Sequence, residues 1–265
     1  HSNNISRRVE IGTRTNNFYP THQLDRGLFE NELAQRVEGN GTKLLLGARV
    51  TDVTITQPEH TITFQQDGVE HHVSARWVID STGRSGLLKR KFNLQKDIHH
   101  HVHAAWFRVA SEIDIQDWSD DVTWQSHVAP GLRRLATNHL MGEGYWVWII
   151  PLVSGSTSIG IVADPVYHPF ETYNTFEKAI TWLQDHEPLA AEMLSPHQEK
   201  RMDFKVMKNF AFDSTQFFST DKWAVTGEAG AFMDPFYSPG SDFISLNNTW
   251  ITDLIQRDLN GEEIG

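Results

Sequence analysis

Residues 223–242 read WAVTGEAGAFMDPFYSPGSD and contain the strongest local signal in the chain. Its apolar start, residues 223–226, predicts a buried strand, which enters a glycine-rich turn at Gly227. Residues 241–259 predict a helix, because apolar residues recur along one side. The carboxylate of Glu228 can accept hydrogen bonds from hydroxyl groups, and a helix N-terminus offers free amides. A plain strand–turn–helix that binds nothing fits the same spacing equally well.

A second α/β piece lies near the start of the chain. Residues 76–80 predict a strand that runs into Ser81-Thr82-Gly83, followed by a basic helix that ends at Lys91. Earlier in the chain, Asp25 is a candidate N-cap for a helix in which Phe29, Leu33 and Val37 recur on one face at spacings of four. Strands are predicted at residues 44–46, 49–55, 61–64 and 69–73, the last two as a hairpin.

The middle of the chain differs from both ends. Residues 101–109, 144–150 and 156–163 predict an antiparallel sheet, with residues 117–131 as a linker or lid and 174–185 as a helix. The fold class is therefore α/β (α+β overall): a cofactor-type domain interrupted by a substrate-covering sheet. We expect the two α/β pieces to meet in space. The predicted division is 1–98, 99–210 and 211–265.

Composition excludes several classes of function. The 265 residues carry a formal net charge of -11, which argues against nucleic-acid binding. The longest apolar stretch, residues 144–153, is too short to span a bilayer, so no membrane partner is expected. With 0 Cys there are no disulfides and no thiolate sites, which suits the cytoplasm.

Residues 144–151 read GYWVWIIP. In a strand Trp146, Trp148 and Ile150 point to one face, and Pro151 ends the pairing. On the pattern alone the simplest interpretation is the core face of a sheet, and the alternative is the wall of a binding pocket.

Four motifs together resemble the flavin-dependent halogenases. The run from Trp146 to Pro151 matches W-x-W-x-I-P, and residues 234–240 resemble the flavin- and halide-proximal loop of that family. Residues 23–29, QLDRGLF, resemble the segment in which flavin monooxygenases place an arginine near the cofactor. Residues 78–85, VIDSTGRS, resemble their second dinucleotide motif. The motifs occur in the family's order across nearly the whole chain, which makes kinship a strong inference.

The resemblance implies a Rossmann-like FAD/NAD(P)-binding domain of the flavin monooxygenase type, with an inserted antiparallel substrate domain. It implies FAD as cofactor, halide, an aromatic small-molecule or carrier-tethered substrate, and a separate flavin reductase as partner. Reduced FAD, oxygen and halide would generate hypohalous acid, which halogenates the aromatic ring. The expected cofactor-binding residues are Arg26, Val50 (through its backbone, near the adenine), Asp80, Gly83, Gly227, Glu228, Pro235, Ser238, Gly240 and Ser241. Ser238, Pro239, Gly240 and Ser241 are the expected halide residues, and Trp146, Trp148, Ile150 and Pro151 the expected wall between flavin and substrate.

Three departures qualify the resemblance. Glu228 stands where relatives usually carry Asp. The chain contains no G-x-G-x-x-G pyrophosphate loop. The family's catalytic lysine is expected upstream of His1, so no catalytic residue is assigned. We therefore expect a fragment that binds FAD weakly or not at all. A flavin monooxygenase or reductase without halide chemistry, and a non-catalytic remnant, are the alternatives.

A histidine cluster is the other candidate for chemistry. In a strand His99, His101 and His103 would share one face, an arrangement that could hold a metal. No second group of ligands accompanies them, so a solvated edge or pocket rim is the favoured interpretation and no metal is expected.

Overall fold

The protein is described by a computed structural model that covers residues 4–12 and 22–264. Contacts divide the described chain into two compact units. The sheet unit combines the described residues as far as Gly41 with His101–Lys208, and the turn unit combines Thr42–His100 with the chain from Asn209 onward. The division at 98/99 and 210/211 stays a prediction. The two units differ from it in grouping residues 22–41 with the sheet.

The secondary structure of the described residues is as follows. The α-helices are α1 (Arg26–Gly39), α2 (Leu87–Lys91), α3 (Val122–Gln125), α4 (Leu132–Leu135), α5 (Phe176–His186), α6 (Pro188–Leu194) and α7 (Gly240–Leu259). The strands are β1 (Arg49–Thr54), β2 (His60–Gln66), β3 (Val69–Ala75), β4 (Val78–Asp80), β5 (Gln95–Lys96), β6 (His103–Val109), β7 (Asn138–Gly142), β8 (Tyr145–Pro151), β9 (Thr157–Ala163), β10 (Arg201–Met207), β11 (Asp213–Ser214), β12 (Phe218–Ser219) and β13 (Trp223–Val225).

The sheet unit is built on one antiparallel sheet. Its strands follow the order β10-β6-β9-β8-β7. Burial alternates along β8, where Tyr145, Val147 and Ile149 are buried, as expected for a strand with one face on the core. This face shares a hydrophobic core with α5 and α6, which contribute residues such as Leu183 and Leu194. The opposite face of the sheet is therefore available for other contacts.

The turn unit contains the parallel strand pair that joins the two α/β pieces. β13 pairs in parallel with β4, with Trp223 opposite Val78 and Val225 opposite Asp80. The pieces thus meet in space although more than a hundred residues separate them. β12 extends this sheet in antiparallel orientation, while β1-β2-β3 and β5-β11 form separate antiparallel sheets.

Several sequence predictions are confirmed. The β2–β3 hairpin turns at Asp67 and Gly68, whose φ angles of 52° and 77° are those a tight two-residue turn requires. The predicted helix at 241–259 is α7, and the helix after Asp25 is α1, although Asp25 makes no side-chain cap bond.

No described helix is long and apolar enough to cross a membrane.

Other predictions are wrong. Residues 44–46 form no strand, and Leu46 is 80% exposed. Residues 117–131 are not a free linker, because Trp118 and Trp124 are buried in the core of the sheet unit. The apolar side of α1 (Phe29, Leu33 and Val37) is exposed in the described chain.

Candidate functional site

The first candidate region lies where β4 and β13 end. β4 ends at Asp80 and β13 at Val225, and the backbone N–H of Thr226 donates to the carbonyl of Asp80 at 2.9 Å. Because the strands are parallel, the turns that follow them start at the same edge of the sheet. Ligands of open α/β sheets bind at the carboxyl ends of strands, so this edge of the sheet is the candidate cofactor site.

The carboxylate of Asp80 organises the first turn. Its Oδ1 accepts from the backbone N–H of Thr82 at 2.9 Å and from the Thr82 hydroxyl at 2.6 Å. Its Oδ2 accepts from the backbone N–H of Leu88 at 2.7 Å. Gly83 follows with φ of 63°, a conformation that L residues rarely adopt. Asp80 is buried, and its direct role is to shape the turn between β4 and α2.

The second turn presents a carboxylate that is free to accept. Gly227 has φ of 59°, and the residues from Gly227 to Ala229 form a single 3-10 turn. Glu228 is half-buried, and within the described part of the chain no donor contacts its carboxylate. The hydroxyl of Thr226 donates to Asn248 Oδ1 at 2.8 Å, which ties this turn to α7. Glu228 can therefore accept hydrogen bonds from the hydroxyl groups of a ligand.

The loop before α7 ends in exposed amide groups. Asp234 accepts from the backbone N–H of Phe236 at 3.0 Å and from His100 at 2.8 Å between Oδ2 and Nε2. Ser238 has φ of 54°, and Pro239 provides no side-chain cap for α7. Nothing lies within 4 Å of the position a Cβ of Gly240 would take. The first turn of α7 thus presents backbone donors to open space, a suitable environment for a negative oxygen or an anion.

The remaining cofactor candidates occupy separate positions. Val50 lies in β1 of the turn unit, opposite Phe64, at a bulge in the β1–β2 pairing. Arg26 lies in the sheet unit at the start of α1, where its guanidinium contacts Glu30 at 2.6 Å and is largely exposed. Both residues are exposed.

Trp146 and Trp148 share the face of the sheet opposite to the core. Both are half-buried, whereas their neighbours Val147 and Ile149 are buried in the core. The two indole centroids are 5.7 Å apart, with the ring planes inclined by 44°. The core-face interpretation of these residues is therefore wrong, and the predicted common face is confirmed.

Two further aromatic residues extend this face across neighbouring strands. Trp106 of β6 and His139 of β7 lie in the same cross-strand row as Trp148. In this row Gly160 of β9 lies between Trp106 and Trp148. Trp106 lies 6.3 Å from Trp148 between centroids, and His139 meets Trp146 edge-on at 5.2 Å. We call Trp106, His139, Trp146 and Trp148 the aromatic face. It offers a broad apolar surface against which a flat ring can stack.

The end of β8 is anchored to the segment before α1. Pro151 is the last residue paired with β9, opposite Thr157. When the amide of Gln23 is oriented to satisfy its neighbours, its nitrogen donates to the Pro151 carbonyl at 2.6 Å and its oxygen accepts from the Thr137 backbone N–H at 2.7 Å. Gln23 thus joins two of the sequence motifs within the sheet unit. Ile150 is half-buried on the same side as the two indoles.

His99, His101 and His103 do not lie together on one strand. β6 begins only at His103, which is buried and meets Phe170 edge-on at 5.2 Å between centroids. His99 lies before the strand with φ of 55°, and its ring contacts Asp97 at 3.4 Å. The extended geometry that would align three histidines is absent from residues 99–102.

Sequence reasoning missed Trp106, His139, Gly160 and Lys89. Alternation along residues 103–109 could have assigned Trp106 to the outer face, since Phe107 and Val109 form the apolar inner set.

Comparisons with known proteins identify the class to which this fold belongs. A solved structure of a flavin-dependent brominase has a TM-score of 0.74 with this chain, at 22% identity, and the match covers 93% of this chain and 59% of that one. At this identity the likeness shows the fold. The predicted class, α/β with an antiparallel substrate sheet, is confirmed.

The chain belongs to the tryptophan halogenase family, whose family model matches residues 2–258. It is 30% identical over 195 residues to the flavin-dependent halogenase chlA of Dictyostelium discoideum, covering 69% of this chain and 30% of the relative. It is 28% identical over 254 residues to a chlorinase of 1H-pyrrole-2-carbonyl-(peptidyl-carrier protein) from Pseudomonas fluorescens, covering 91% and 52%. The chain therefore spans about half, or less, of these relatives' length.

Proposed function

We propose that this chain is part of an FAD-dependent halogenase that acts on an electron-rich aromatic substrate. Membership of the family supports the class of chemistry. The observation that carries the proposal is the aromatic face, which places Trp106 and His139 beside the two tryptophans of the W-x-W-x-I-P strand. Such a surface suits the stacking of a flat aromatic ring.

The proposed cofactor residues fit the chemistry of FAD. The free carboxylate of Glu228 is an acceptor for ribityl or ribose hydroxyls, and the amides of Gly240 and Ser241 are donors for the partly negative flavin oxygens. Gly227 lets the backbone approach a ligand closely. Arg26, Val50, Gly83, Pro235 and Ser238 complete the proposed set, and Asp80 acts by holding the turn.

Halide is proposed to bind at residues 238–241, where the backbone N–H groups of Gly240 and Ser241, without a capping side chain, attract an anion. Trp146, Trp148, Ile150 and Pro151 are proposed to line the substrate side. In the balanced reaction an aromatic C–H bond becomes a C–halogen bond. Reduced FAD, oxygen, one halide and one proton are consumed, and oxidised FAD and two waters are released. FAD, when bound, supplies the electrons, and a separate flavin reductase is proposed to regenerate its reduced form.

The proposed substrate is tethered to a carrier protein. Support comes from the relative in Pseudomonas fluorescens, whose name specifies a pyrrole-2-carbonyl group on a peptidyl carrier. A free aromatic molecule fits the same face. The location in the cytoplasm stays a prediction based on composition.

The test is a reaction of the full-length protein with a flavin reductase, NADH, FAD, oxygen and bromide or chloride. Pyrrole-2-carbonyl carrier protein and free aromatic compounds are supplied in parallel, and products are read by mass spectrometry. A halogen isotope doublet on the substrate supports the proposal. A gain of one oxygen indicates a monooxygenase and contradicts it, as does an unchanged substrate panel. Trp148→Ala is expected to lose activity, with Trp250→Ala of α7 as the matched control.

A further inference from the structure

Lys89 is a buried lysine on α2 without an ion pair. Its exposure is 3%, and in the described part of the chain no carboxylate lies within ion-pair distance of its ammonium. A buried ammonium without a carboxylate is costly, and an apolar side chain of similar length would avoid that cost. The charge therefore needs an explanation within the turn unit.

The side chain of Lys89 is directed by the glycine that precedes α2. Gly86 has φ of 47°, and a Cβ there would lie 2.7 Å from Cε of Lys89. The lysine thus folds back across Gly86 and brings Nζ to 3.5 Å from the ring centroid of Phe212. The ring face stabilises the cation without removing its charge.

The ammonium reaches the main chain of the second turn. Nζ lies 3.5 Å from the carbonyl oxygen of Glu228. The backbone hydrogen bonds within this turn do not use the Glu228 carbonyl, because the N–H groups of Gly230 and Ala231 both donate to the carbonyl of Gly227. Among the described donors, Lys89 is the one that reaches the Glu228 carbonyl. The peptide between Glu228 and Ala229 is therefore oriented by a charge from a different α/β piece.

We propose that Lys89 is a positioning residue for FAD binding: its charge fixes the Glu228 peptide, and with it the direction of the Glu228 carboxylate. This inference rests on the proposed function. Lys89 would act through the turn and not by contact with the cofactor. Asp80, which could have neutralised the lysine, is occupied by Thr82 and Leu88.

The charge state of Lys89 responds to its surroundings. Burial lowers the pKa of Lys89 from its ordinary value, and Arg84 and Arg90 act in the same direction, while Asp80 and Glu228 oppose them. The cation that holds the turn is present below this pKa and is lost as the pH rises through it. FAD affinity should therefore weaken with rising pH earlier than an ordinary lysine would allow.

The experiment measures FAD affinity of the full-length protein by flavin fluorescence for the wild type, Lys89→Met, Lys89→Arg and the exposed control Lys43→Met. Thermal melting without FAD is recorded for each. Loss of a charged hydrogen bond predicts roughly tenfold weaker binding for Lys89→Met, with melting temperature unchanged or raised. Lys89→Arg should restore most of the affinity and keep it constant to higher pH, and Lys43→Met should match the wild type.

Equal FAD affinity of Lys89→Met and the wild type overturns the inference and leaves the proposed function intact. The inference is also overturned if Lys89→Met and Lys89→Arg are equally weakened, or if the lost affinity follows a lowered melting temperature. A wild type that does not bind FAD overturns the proposed function and the inference together.

Discussion

The indole of Trp148 lies directly over Gly160 of the neighbouring strand. A Cβ at Gly160 would lie 2.2 Å from Cζ2 of the indole, and the indole Nε1 donates to the hydroxyl of Ser158 at 3.0 Å. Because Gly160 has no side chain, there is room for the ring against β9, and one hydrogen bond to Ser158 orients it. This contact sets the direction of Trp148 on the aromatic face.

Gly160→Ala should displace this ring. The added methyl group cannot coexist with the indole, so we expect a loss of about 1–3 kcal/mol in the free energy of unfolding, as for overpacked sites. Urea denaturation gives the energy, and 19F NMR of 5-fluorotryptophan protein, with Trp148 assigned through Trp148→Phe, reports the ring. Ser158→Ala is the matched variant, which removes the hydrogen bond but adds no atoms beneath the ring, and should cost about 0.5–1.5 kcal/mol with a smaller change in the resonance than Gly160→Ala. An unshifted Trp148 resonance in Gly160→Ala would disprove the close contact.

Trp106 should affect substrate binding more than turnover. If the aromatic face binds the ring, Trp106→Leu removes one stacking partner worth about 0.5–1.5 kcal/mol, which corresponds to a roughly two- to tenfold rise in KM. The measurement is steady-state halogenation by the full-length protein, with separate kcat and KM. Trp250→Leu, an exposed tryptophan of α7, should leave both constants unchanged. An unchanged KM in Trp106→Leu would exclude it from the binding surface.

The aromatic face also shows how much of the candidate site can be predicted from the sequence. Trp146, Trp148 and Ile150 could be assigned to one face because the period of a strand is local. Trp106 and His139 joined them only through the order β6-β9-β8-β7 and its register, which depend on pairing between distant segments. A single motif therefore predicts only part of a site that spans several strands.

The wrong predictions about the fold also arise because tertiary contacts cannot be read from local sequence. The apolar triplet at 44–46 satisfies strand propensity but has no partner strand in the described chain, so Leu46 is exposed. Residues 117–131 look like a linker by composition, yet Trp118 and Trp124 are buried. Lys89 lies in the predicted basic helix, and its burial depends on Gly86 and on Phe212, which is distant in the sequence. Local pattern is informative until tertiary contacts outweigh it.

Glu187 should be a major source of stability in the sheet unit. It is 1% exposed and accepts from both terminal nitrogens of Arg8, at 3.1 Å and 2.5 Å, and from the hydroxyl of Tyr145 at 2.9 Å. Burial raises the pKa of Tyr145, and the charge of Glu187 raises it further, so the phenol stays a donor. Glu187→Ala removes the acceptor that Arg8 and Tyr145 share, and we expect a loss of about 3 kcal/mol in urea denaturation, allowing for the partly exposed arginine.

The matched variants for Glu187 separate charge from packing. Tyr145→Phe removes the hydroxyl that donates to Glu187 at 2.9 Å and lies 3.3 Å from the His186 carbonyl, and should cost about 0.5–1.5 kcal/mol. Glu192→Ala changes an exposed glutamate of α6, the helix that begins directly after Glu187, and should stay within about 0.5 kcal/mol of the wild type. A cost for Glu187→Ala no larger than that of Glu192→Ala would show that the network contributes nothing to stability.

Asp258 should make the turn unit sensitive to acid. Its carboxylate accepts from Trp77 Nε1 at 2.9 Å and contacts Lys222 at 2.9 Å and Arg76 at 3.2 Å. The Trp77 bond, followed by the Lys222 bond, lowers the pKa of Asp258 from its ordinary value of 3.8. A carboxyl group with a lowered folded-state pKa stabilises the protein above the ordinary value, and this stabilisation is lost as the pH falls toward the lowered pKa.

Asp258→Asn keeps an acceptor for Trp77 but removes the charge that pairs with the two cations. The urea midpoint of the wild type should therefore exceed that of Asp258→Asn by a constant amount from neutral pH down to about pH 5, and the difference should close below about pH 4. Asp253→Asn, an exposed aspartate of the same helix, is the matched control and should show no difference at any of these pH values. Because only a charge-dependent contribution disappears on protonation, a gap that persists unchanged at pH 3 would mean that Asp258 acts through packing and hydrogen bonding alone.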